Sequence, residues 1–182
     1  MKKSIKLKSK KNIIKKIKSY NQKSRSEYKD TMSDILTNEK FKLLDKYKQH
    51  YKCTRLKHSI NVSYYSFYIA KLLKLDYISA AKAGLLHDLY FHERTNFKEN
   101  IKMLRQHPKE ALQNALEICD LNDKERDIIK RHMWLITLKP PKYKEGYIVT
   151  FVDKYCAARE FFSSVFFKNF NRKSNKRMNR FY

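Results

Sequence analysis

A chain of 182 residues with only two glycines and three prolines has few places at which to reverse direction tightly. Glycine reaches the positive φ of hairpin and bulge positions at no steric cost, and proline pre-sets turns. A β-sandwich or barrel needs such a turn every ~8–12 residues, so that class is disfavoured. Apolar residues are 42% of the chain and aromatics 14%, enough to build a core and to set it apart from a disordered basic tail. No apolar run approaches the ~18 residues of a membrane span, and the first residues lack the apolar segment of a signal peptide. Cys53, Cys119 and Cys156 are odd in number and lack CxxC spacing. They read as thiols of a reducing compartment, so a cytoplasmic protein is expected.

Hydrophobic spacing predicts an all-α bundle of about six to seven helices. Ser33 is the expected cap of a helix running to about Gln49. From Lys57 to Leu73 the residues His58, Val62, Tyr65, Ile69 and Leu72 recur at steps of four and three, the mark of an amphipathic helix. Residues 77–91 read as a second helix, small and apolar. Pro108 suits a first helical turn with His107 at the cap, and Asp123 suits the cap of the next helix. Pro140 and Pro141 break the chain before a long, nearly all-round apolar helix over 144–167.

The net charge of +24 lies mostly at the ends. Residues 1–25 hold ten Lys and Arg25 with no acid, residues 161–182 hold three Lys and three Arg with no acid, and all 18 carboxylates fall between. The expected organisation is a basic extension over 1–30, a helical domain over 31–167 and a basic tail over 168–182. Such ends attract RNA or an anionic membrane surface without sequence specificity, and they are equally explained as solvated charge.

Five polar residues interrupt the apolar stripes of four predicted helices: His58, His87, Asp88, His132 and Asp153. Burying a lone carboxylate costs several kcal/mol unless it is paired or metal-bound. A single His on an apolar face is ordinarily a satisfied core residue, and Asp153 alone could pair with a neighbouring cation. The ordered series His58, His87-Asp88, His107-Pro108, His132, Asp153 is what points to a metal, and imidazole with carboxylate suits Fe, Mn, Co, Ni or Zn.

That series resembles the HD superfamily of metal-dependent phosphohydrolases over roughly residues 45–165. His58 stands in KHSINV, His87 and Asp88 in GLLHDL, and Asp153 in VTFVDKYCA. The resemblance implies that these four hold one ion. His107 in QHPKEAL and His132 in IIKRHMW look like the extra ligands of dinuclear members, with Asp88 bridging two ions. It also implies a helical bundle, and the segment from His132 to Glu160 is similar to small bacterial members of unassigned substrate. Departures narrow the match. Asp88 is followed by Leu89-Tyr90-Phe91-His92 and not by Ile-Gly-Lys, and His132 is followed by Met133 and not by a second His. No Gly-Tyr-Pro signature follows either, which tells against a cyclic-di-GMP phosphodiesterase.

The expected activity is hydrolysis of a phosphomonoester or phosphoanhydride, with a nucleotide as substrate, by a metal-activated hydroxide. Asp88 is the expected catalytic centre, as the shared ligand. Arg94, Lys139, Lys142, Lys154 and His92 are candidate substrate contacts, although in so lysine-rich a chain most cations are solvated surface charge. The competing expectation is a degenerate bundle that docks RNA or anionic membrane through its basic ends, helped by the aromatics from Phe161 to Tyr182.

Overall fold

The computed structural model describes residues 22–50, 53–93 and 97–178. It divides into two compact units, Met1–Asp34 and Ile35–Tyr182. In the first, residues 22–31 form helix α1, closed by Met32 N–H donating to the Tyr28 carbonyl at 3.0 Å. The basic stretch over 1–21 lies outside the described residues.

The expected helix from Ser33 to about Gln49 is broken into pieces. Ser33 does not cap it: its hydroxyl donates to the Asp30 carbonyl at 3.0 Å, and it opens a short α2 (Ser33–Thr37). Asn38 then starts α3 (Glu39–Lys42) by accepting from the N–H groups of Lys40 and Phe41. A 3₁₀ turn (Leu43–Lys46) follows, and the chain straightens into β1 (Lys48–His50), antiparallel to β2 (Cys53–Thr54). An Asn side chain competes for backbone N–H groups, which is why it restarts a helix instead of continuing one.

Among its described residues, the regular structure of the second unit is helical apart from that ribbon. It contains α4 (Arg55–Leu72), α5 (Tyr77–Leu86), α6 (Phe97–Leu116), α7 (Asp123–Arg131) and α8 (Lys144–Met178). That makes eight α-helices among the described residues, and the all-α reading stands. α4 packs on α5 and α8, α5 also on α7 and α8, and α6 on α7. Phe67, Leu85, Leu86, Ile128, Ile129 and Val149 are fully buried between them. Each contributes roughly 1.5–3 kcal/mol of apolar burial. Among the described residues, no helix is long and apolar enough to cross a membrane.

Several boundaries differ from the expected ones, each for a local reason. α6 begins at Phe97, so Pro108 lies inside it; lacking an N–H, the proline leaves the carbonyl of residue 104 without its helical partner. α7 is capped by Asn122, which forms a reciprocal capping box with Glu125, and Asp123 is its first helical residue. α8 runs on to Met178. On α4 the buried face is Ser59, Val62, Ser63, Ser66, Phe67 and Ala70, while Ile69 and Leu72 of the expected stripe are exposed.

Both glycines are used for close approach and neither for a turn. A Cβ on Gly84 would sit 2.9 Å from Ser63 Cα, so glycine and serine let α5 lie tightly on α4. A Cβ on Gly146 would meet Pro141 at 2.5 Å. The left-handed backbone positions fall instead to Lys74, Leu135 and Leu138.

Candidate metal centre

The site is built from helix ends. The last carbonyls of a helix have no N–H to accept from. His87 is the C-cap of α5 and His132 the C-cap of α7. Each turns its ring back on its own helix: His87 Nδ1 donates to the Gly84 carbonyl at 2.9 Å, and His132 Nδ1 to the Ile129 carbonyl at 2.8 Å. Spending Nδ1–H on the backbone fixes the tautomer of the neutral ring, and both Nε2 lone pairs then aim into the bundle. α5 stops at Leu86, short of the expected 91, because Leu89 N–H closes back on the Leu86 carbonyl. Asp88 therefore lies in the turn beyond the helix, free to point the same way as His87.

Six expected residues converge there. His58 Nε2 lies 2.9 Å from Asp153 Oδ1, and His87 Nε2 is 3.6 Å from both Asp153 Oδ1 and Asp88 Oδ2. On the other side of Asp88, Oδ1 is 3.2 Å from His107 Nε2 and 3.7 Å from His132 Nε2. His107 and His132 present their Nε2 atoms to each other at 3.0 Å. Two groups of donor atoms thus have the spacing to hold a metal ion: His58, His87 and Asp88, and Asp88, His107 and His132. Asp88 belongs to both. The four histidines and Asp88 are buried, whereas Asp153 keeps 14% of its side chain exposed and marks the side open to solvent.

The donor set fits a divalent ion. His87 Nε2 is buried without a hydrogen-bond partner, a state that costs about 1–3 kcal/mol unless an ion takes the lone pair. Burial opposes charge on both carboxylates, yet the hydrogen bond of His58 and the neighbouring His87 hold Asp153 well below the usual range. The neighbouring His87 and the hydrogen bond of His107 do the same for Asp88. Burial also opposes a charged His58, but its hydrogen bonds to Asp153 and Glu160 outweigh that and push its pKa up to about 10. Burial and the neighbouring His87 and His107 push His132 down to about 3, so its ring is neutral. The carboxylates are thus held as anions, and His132 as a neutral ligand.

Three positioning residues carried no signal in the sequence reading. Gln49, buried on β1, donates from Nε2 to Asp88 Oδ2 and accepts at Oε1 from Arg55 Nε at 3.1 Å. Arg55 is fully buried, with its guanidinium 3.6 Å from the centre of the Tyr90 ring and a hydrogen bond to the His92 carbonyl at 3.1 Å. Glu160 holds His58 Nδ1 at 3.1 Å, which frees Nε2 for the site. No periodicity or spacing links residues so far apart in the chain.

The expected substrate contacts are not gathered at the site. His92 is exposed and paired with Glu110 at 2.6 Å. Lys154 reaches the carbonyl of the expected ligand His132 at 3.5 Å. Lys142 is exposed, with its backbone N–H on Asp127, and Lys139 lines a concavity that none of the six ligands lines. Arg94 lies outside the described residues. All three cysteines are free; burial and the charge of Glu160 push the Cys53 and Cys156 thiols up to about 12. Comparison of the chain with protein-family models, with curated proteins and with solved structures gives no match.

Proposed function

We propose that the chain is a metal-dependent phosphohydrolase of the HD type that holds two divalent transition-metal ions. His58, His87, Asp88 and Asp153 would take one ion, and Asp88, His107 and His132 the other. The observation that carries the reading is the convergence of buried Nε2 atoms on Asp88, two of them on rings whose other nitrogen is spent on a helix-end carbonyl. When bound, such ions supply an acidified water near neutral pH and positive charge for phosphate oxygens. The chain's own residues do the rest. Asp88 is shared between the two groups and oriented by Gln49, while Glu160 fixes His58. Lys154, whose ammonium lies against the His132 carbonyl, is the candidate cation for a phosphomonoester or phosphoanhydride such as a nucleotide.

The test is metal content per chain, measured on protein purified without chelator, together with hydrolysis of a nucleotide panel. Bound Mn, Fe, Co, Ni or Zn with metal-dependent release of phosphate is expected. A folded, metal-free protein that none of these ions activates would overturn the reading.

A further inference from the structure

One concavity is lined by none of the six residues of the metal centre. α6, α7 and the segment over 132–143 enclose a concavity of about 480 Å³, within the ~300–1,000 Å³ typical of small-molecule sites. Five cations line it, Arg105, Lys109, Lys130, Arg131 and Lys139, and no carboxylate does. Arg131 is held in place, its Nε on Asp127 at 2.8 Å and one guanidinium NH on the Pro140 carbonyl at 2.7 Å. The side chains of Arg105, Lys109, Lys130 and Lys139 make no hydrogen bond or ion pair among the described residues. The nearby acids are already engaged, Asp127 by Arg131 and Glu110 by His92. Like charges gathered around a concavity repel one another and focus a positive field, which a bound anion relieves.

The remaining wall is apolar, from Pro108, Ile136 and Leu138. Leu138 has φ 58° and the nearby Leu135 has φ 82°, a conformation that costs a branched residue roughly 1–2 kcal/mol and is held only where surrounding structure imposes it. Strain of this kind concentrates at binding sites.

We propose that this concavity binds a linear oligophosphate of at least three linked phosphates, as inorganic polyphosphate or as the phosphate chain of a nucleoside triphosphate. One phosphate carries about −1.5 to −2 at neutral pH and cannot neutralise four converging cations. The proposal does not rest on hydrolysis, since no metal ligand lines the concavity.

The experiment is calorimetric titration of the full chain with tripolyphosphate, a nucleoside triphosphate, inorganic phosphate and a single-stranded oligonucleotide. Each is repeated on a Lys109→Glu/Lys130→Glu variant and on a control reversal of equal charge, Lys46→Glu/Lys74→Glu. Tripolyphosphate is expected to bind at least tenfold more tightly than phosphate. That binding should fall at least tenfold in the first variant and by less than twofold in the control, with bound metal unchanged. Tighter binding of the nucleoside triphosphate assigns the apolar wall to its nucleoside, and equal binding assigns the site to the bare chain. If the reversed variant does not fold by circular dichroism, Lys109→Ala/Lys130→Ala replaces it. Equal losses in variant and control overturn the proposal, as does a loss confined to the oligonucleotide, which would make this a nucleic-acid surface.

Discussion

The Nε2 atoms of His107 and His132 face each other at 3.0 Å, with Asp88 Oδ1 beside both. His132 has already given its N–H to the Ile129 carbonyl, so its inner nitrogen offers a lone pair. Two imidazole nitrogens at that separation are stable with a proton or a cation between them, and the adjacent carboxylate favours either. His132→Ala removes one donor from this group and none from the other. On the proposed two-ion reading, the expected result is a fall from about two bound ions per chain toward one, with activity lost. Asp88→Ala should lower both occupancies. Metal analysis of the two variants separates these outcomes, and equal metal content in all three proteins would refute the shared role of Asp88.

Gln49 donates to Asp88, the carboxylate common to both groups of donors. Removing a partner that orients a ligand typically costs about 10–100-fold in metal affinity. Gln49→Ala is therefore expected to weaken metal binding by that factor, and to destabilise the metal-free fold by about 1–3 kcal/mol because it also unpairs the buried Arg55 Nε. Unchanged affinity would show that Asp88 needs no such support.

Gly84 sets the distance between α4 and α5. A methyl group there meets the Ser63 backbone, which cannot swing aside as a side-chain tip would. Gly84→Ala should destabilise the fold by about 1–3 kcal/mol, as overpacking does. Because the Gly84 carbonyl also holds His87, metal affinity should fall as well. Denaturant unfolding and metal titration report the two effects independently.

Lys124 joins two carboxylates, Asp76 at 3.1 Å and Glu145 at 3.0 Å, and Glu145 also accepts from the Asp76 N–H. Burial opposes both charges, but the hydrogen bonds and Lys124 hold both pKa values below their ordinary 3.8 and 4.5. A depressed carboxylate stabilises the fold above its unfolded pKa, and that stability disappears as pH falls through the folded pKa. With one carboxylate buried and the others partly exposed, Lys124→Met should cost about 1–2 kcal/mol at pH 7, between exposed and buried pairs. Parent and variant should draw together as pH falls below the ordinary carboxylate values of 3.8 and 4.5 and through the lowered folded ones. A constant difference down to pH 3 would mean the loss is one of packing and not of charge.

Much of the site was legible because imidazole and carboxylate on apolar stripes are conspicuous in any sequence. The residues that orient them were not. Gln49 and Asp88 are separated by 39 positions and His58 and Glu160 by 102, so only the packing of β1 and α8 against the bundle brings them together. The α4 stripe misled for a related reason. Its buried face is lined by Ser59, Ser63 and Ser66, which no hydrophobic pattern marks, because α5 approaches there through Gly84.

The scarcity of glycine and proline, with apolar residues at helical spacing, was enough by itself to determine that this chain is helical and that His58, His87, Asp88, His132 and Asp153 interrupt its apolar faces. These are local properties, set by backbone sterics and a period of 3.6 residues. The tertiary structure decided where the helices stop, which nitrogen of each capping histidine faces inward, and which cations share a concavity. Helix ends and ring tautomers depend on which carbonyl or carboxylate lies within hydrogen-bond reach, and that is fixed only when distant segments pack.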